Sequence, residues 1–168
     1  MAAATSQAKK HSTLGDEVFM SADELRKYME NMSMAEAMAE VSAMAKADQA
    51  KNELIKTLAS PLSLTPDVME GIKRRLGSRL REAAKNGVSE IMVMRFPNAL
   101  CSDGGRAINN AEEGWPETLT GRPRQAYEIW RDRLRPAGYK LKAMIIEWPQ
   151  GLPGDVGMFL SWSDSKAH

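Results

Sequence analysis

Cysteine occurs once in this chain, at Cys101, and histidine twice, at His11 and His168. One cysteine forms no internal disulfide and cannot build a cysteine-rich zinc site. Both histidines fall in stretches that read as tails, so the folded body is expected to hold none. That removes Ser-His-Asp and Cys-His catalysis, and histidine-based metal sites, from the expected core. Long apolar runs are missing as well. No segment approaches the ~18 consecutive apolar residues of a membrane span, and residues 1–10 contain no apolar run of signal-peptide length. Nor does one sign of charge prevail. With 23 basic and 22 acidic side chains, net charge exerts no global pull toward nucleic acid, membrane or acidic substrates. A soluble cytoplasmic protein is the default expectation.

What is present suits one domain with an appendage: 168 residues, 43% hydrophobic and 27% charged. Residues 1–20 are small, polar and aperiodic and read as a disordered tail. A Met-rich helical arm follows over 21–60. Ser21-Ala22-Asp23-Glu24 and Ser33-Met34-Ala35-Glu36 both match the capping box, in which Ser and Glu satisfy backbone donors reciprocally. Leu25, Tyr28, Met29 and Met32 share one helical face, whereas Met34, Met38, Val41 and Ala45 fall on roughly the opposite one. The spacing predicts two helices with a break near Ser33; a continuous helix would instead present two apolar faces. Six of the twelve methionines lie between positions 20 and 44. Flexible, polarizable Met suits core or dimer packing or an adaptable partner surface. A thioether copper site lacks histidine support. Met29, Met32, Met34, Met38 and Val41 are the candidate partner-binding residues.

An α+β domain is expected over 65–162, with a small, mostly antiparallel three-stranded sheet covered by helices in the order αβααββ; residues 163–168 close the chain as a tail. Thr65-Pro66-Asp67 opens its first helix with a cap, a proline at the first helical position and an acid suited to the dipole. Val68, Met69, Ile72, Leu76, Leu80 and Ala83 form its apolar stripe, and Asn86-Gly87 stops it. Residues 88–94 read as a central strand, apolar on both faces. A short helix through Ala107, Ile108 and Ala111 follows, then one from Thr120 with Ala126, Tyr127, Trp130 and Leu134 inward. Residues 139–148 and 156–162 form an antiparallel hairpin around a loop rich in Pro and Gly.

Chemistry has few places to sit. Ser102-Asp103-Gly104-Gly105-Arg106 follows a strand and starts a helix, a position where free N–H groups can cradle an anion with Arg106 as clamp. It matches neither the Walker pattern nor G-x-G-x-x-G, and its bland reading is a turn. Cys101 lacks a base and reads as a small buried hydrophobe. Arg74, Arg81 and Lys85 line one face of the basic helix and could lie along phosphates, although a solvated face is the commoner meaning. Among the carboxylates Glu112, Glu113, Glu117, Asp132, Glu147 and Asp155, only Glu147, beside Trp148, suggests a perturbed environment. The four tryptophans suit a shared core or a pocket wall, or stacking on bases if exposed beside Arg124 and Arg131. No cofactor, metal or catalytic residue is expected. The leading expectation is a non-enzymatic interaction or regulatory module whose arm self-associates or binds a protein partner. An anion- or nucleic-acid-binding protein is the alternative, and an enzyme working without histidine stands third.

Overall fold

A computed structural model describes residues 11–14 and 17–164. Of the expected tails at 1–20 and 163–168, residues 1–10, 15–16 and 165–168, including His168, lie outside the described residues. The chain divides into two compact units, Met1–Ala50 and Lys51–His168.

In the first unit, part of the stretch expected to be a tail is strand. β1 (His11–Leu14) pairs antiparallel with β2 (Glu17–Met20), His11 opposite Met20 and Leu14 opposite Glu17. The sequence signal was present: two short runs flank Gly15-Asp16, a turn-forming pair. Helix α1 (Ala22–Ala59) then runs 38 residues and crosses into the second unit. Ser21 caps it as expected, its Oγ accepting the Glu24 N–H at 3.1 Å. The expected break at Ser33 is absent. Met, Ala and Glu around it are strong helix formers, no Gly or Pro intervenes, and an interior Ser costs only a few tenths of a kcal/mol. α1 therefore presents two apolar faces.

The second unit has the expected α+β architecture. Helix α2 (Pro66–Lys85) starts at Thr65, whose hydroxyl accepts the Val68 N–H at 3.3 Å, and stops at Asn86, followed by Gly87 at φ +75°. β3 (Glu90–Phe96), β4 (Lys140–Ile145) and β5 (Val156–Ser161) form an antiparallel sheet in the order β3-β5-β4. The expected hairpin is β4–β5, but the central strand is β5 rather than the one near residue 90. A bulge explains the misleading pattern. Register shifts between Met92 and Met94, so Val93 is an extra residue. It lines the same cleft as Met94 while Met92 is exposed. A half-covered edge strand thereby reads as apolar on both faces.

Between β3 and β4 lie the short α3 (Arg106–Asn109) and α4 (Gly121–Ile129). α4 continues through a wider turn at Trp130–Leu134 and a tight one at Arg135–Ala137, ending on Gly138 at φ +97°. The core gathers where the sheet meets the 97–119 segment: Phe96, Leu100, Cys101, Ile108, Leu119, Ile145, Val156 and Met158. Ile55 and Leu58, from the last turns of α1, pack against it.

Candidate functional site

The corner at residues 102–106 is built around its own carboxylate. Asp103 Oδ1 accepts the Gly105 N–H at 3.0 Å and Oδ2 accepts the Ala107 N–H at 2.8 Å. Partial burial pushes this carboxyl up, but the N–H groups of Ala107, Gly105, Asp103 itself and Arg106 together bring it below its ordinary value. Asn98 Nδ2 donates to the Gly104 carbonyl at 2.8 Å and to Pro153 at 3.3 Å. The positive φ of Gly104 (+69°) and Gly105 (+92°) lets the backbone turn there. Ser102 and Arg106 are exposed. The donors an anion would use are thus engaged by Asp103.

Cys101 lies beneath this corner, 3% exposed. Burial pushes its thiol up to about 11, Asp103 adding to the rise and a hydrogen bond with Thr118 opposing it. A thiol so placed is a poor nucleophile at neutral pH, in line with its reading as a small hydrophobe. Glu147 is exposed and paired with Arg95 Nη2 at 2.9 Å, while Arg95 Nε donates to Asp155 at 2.8 Å. These carboxylates belong to one surface ion-pair cluster.

On α2, Arg74, Arg81 and Lys85 are exposed and form no ion pair among the described residues. Tyr127 already carries two cations, with Arg124 and Arg131 at 5.6 and 6.0 Å from its ring centroid, and it packs edge-on against Trp115. On α1, Met29, Met32, Met34, Met38 and Val41 are each between 46% and 70% exposed. No helix among the described residues is long and apolar enough to cross a membrane.

A cleft not foreseen from the sequence lies beneath α2, with a cavity of about 500 Å³. Ile72 and Leu76 of α2 form one wall, and Ala126, Ile129 and Trp130 another. Val93, Met94, Leu141, Met158 and Leu160 of the sheet make the floor, and Leu58, Leu62 and Leu64 close one side. Its polar lining is Arg75, Arg79, Arg122 and Gln125. Gln125 is satisfied by the Leu62 backbone, accepting its N–H at 2.9 Å and donating to its carbonyl at 2.8 Å. Arg79 Nη2 donates to the Met92 carbonyl at 2.6 Å, and Arg122 Nε to the Ser60 carbonyl at 3.1 Å. A second, separate hollow, about 580 Å³, shares Leu64, Ile72, Leu76, Ile129 and Leu134 as walls with the first and has Glu70, Lys73 and Arg133 as its charged lining. No residue of α2 is fully buried, for all its strong apolar stripe. Gly77, in mid-helix, lines the second hollow, where a larger residue would have supplied filling.

The fold is thus an α+β domain carrying a long exposed helix. In comparisons with known proteins, no family model matches the chain, and no curated protein or solved structure gives a significant match.

Proposed function

We propose that this protein is a non-enzymatic interaction module that assembles through α1, packing the Met-rich helix against the same helix of other copies. The supporting observation is that both apolar stripes of α1 are exposed: Leu25, Tyr28, Met29 and Met32 on one side, Met34, Met38 and Val41 on the other. Monomeric proteins rarely leave contiguous apolar surface of this extent in water. Each such side chain is already partly covered, so removing the rest of it from water contributes about 1 kcal/mol, offset in part by the freedom lost on association. Two opposed stripes suit a bundle, in which a helix touches neighbours on more than one side. Methionine tolerates the imperfect complementarity of such contacts. Light scattering after size exclusion tests the reading. The full chain should run at a multiple of its own mass, and Met34→Lys with Met38→Lys and Val41→Lys, which removes one of the two stripes, should lower that multiple with unchanged helicity. A monomeric full chain at high concentration would overturn it.

A second reading rests on the exposed row of Arg74, Arg81 and Lys85, which form no ion pair among the described residues. It makes the outer face of α2 an anion or nucleic-acid surface. Binding of a labelled oligonucleotide at low salt, weakening steeply as salt rises and lost on changing all three residues to Gln, would support it. No binding at low salt removes it.

A further inference from the structure

We infer that the cleft beneath α2 is a binding site for a single-chain amphiphile with an anionic head, of the class of a free alkyl carboxylate. The cavity, about 500 Å³, lies within the range of sites that enclose small ligands, about 300–1,000 Å³. Its lining is mostly aliphatic, with Ile72, Leu76, Ile129, Leu141 and Leu160 around it, which suits an alkyl chain. Charge selects the head group. The cleft's charged lining consists of three arginines, Arg75, Arg79 and Arg122, with no carboxylate among its lining residues. A cationic amphiphile would be repelled there, and a neutral one would leave the arginines unused. Arg79 and Arg122 each spend one donor on a backbone carbonyl, which steadies the side chain and leaves the other N–H groups of each fork for a ligand. Arg75 is exposed and makes no hydrogen bond to another group among the described residues, so its fork is available to grip a carboxylate in bidentate fashion.

The full chain can be tested with dodecanoate, its neutral counterpart dodecanol and the dodecyltrimethylammonium cation, each competing with a fluorescent alkyl carboxylate. Dodecanoate should bind one per chain, at least about tenfold more tightly than dodecanol, as expected for a charge-assisted hydrogen bond. The cation should not compete. Arg75→Gln should cost dodecanoate roughly tenfold and leave dodecanol and the melting temperature unchanged. Leu64→Trp places bulk at an exposed residue of the cleft's lining and should abolish binding without unfolding the domain. Equal affinity for acid and alcohol, no binding of either, or many ligands per chain unaffected by Leu64→Trp would each overturn the assignment. The last would mean adsorption on exposed apolar surface.

Discussion

At the scale of single residues, Cys101 and Asp103 divide the corner between them, and both titrate in ways that can be measured. The Cys101 thiol is raised to about 11, so the neutral form is favoured in the fold. Its contribution to stability is complete below the unfolded thiol's ordinary value and is lost as pH rises from about 9 toward 11. A disulfide reagent should therefore find no reactive thiol in the native protein at neutral pH and one per chain in denaturant; prompt native labelling would contradict the burial. Asp103 works in the opposite sense. Its folded value lies below the ordinary one, so its stabilisation is present above an ordinary carboxyl's value of about 4 and fades as pH falls through the folded value. Asp103→Ala should destabilise the domain by about 1 kcal/mol at neutral pH, the usual worth of a side chain satisfying helix-start donors. The gap between the two melting temperatures should close in acid, and a gap independent of pH would show that the carboxylate charge is irrelevant. The sequence made this corner visible through its glycines. Which group occupies its donors was not legible, because that depends on Asp103 folding back over two left-handed glycines.

At the scale of elements, helix ends were the most legible feature, since Thr65-Pro66 and Asn86-Gly87 act through purely local geometry. The break at Ser33 and the centrality of β3 were misread for one reason: both depend on what covers a surface. An apolar phase change in α1 implies a kink only if one partner must cover both stripes, and in this chain both are exposed. The bulge at Val93 is likewise set by register with β5, which no local pattern encodes. Two glycines give a sharp contrast to test. At Gly77 a Cβ would meet only Arg81 Nη1, at 3.5 Å, whereas at Gly121 it would fall 2.7 Å from the Ala59 Cα with φ at +59°. Gly77→Ala should therefore stabilise the fold by about 0.5–1 kcal/mol through helix propensity. Gly121→Ala should cost more than about 2 kcal/mol, combining left-handed strain with a backbone clash. Urea denaturation of the two variants decides, and equal effects would refute the packing at Gly121.

At the scale of the whole molecule, the cleft was illegible because it belongs to no single stretch. Leu58, Ile72, Ile129, Leu141 and Leu160 line it from five separate elements, each of which reads on its own as an ordinary core face. The same separation bears on how much of α1 the domain needs. The compact second unit begins at Lys51, and its core takes in Ile55 and Leu58 from the end of α1. Residues 51–168 should consequently fold alone, melt in one cooperative transition close to the full chain, and run as a monomer if α1 mediates assembly. Starting at residue 61 removes Ile55 and Leu58 while leaving the sheet, α2 and α4 intact. These two side chains are only partly buried, so their loss should cost about 2 kcal/mol, less than two full burials. At about 4–8 °C per kcal/mol for a small domain, the shorter chain should melt roughly 10 °C lower. Its cleft, missing Leu58, should be open on that side. Circular dichroism melts of the two truncations separate the roles of α1. A large loss already at residue 51 would mean that the Met-rich part of the helix holds the domain together, and identical melts would mean that its last turns contribute nothing to the core.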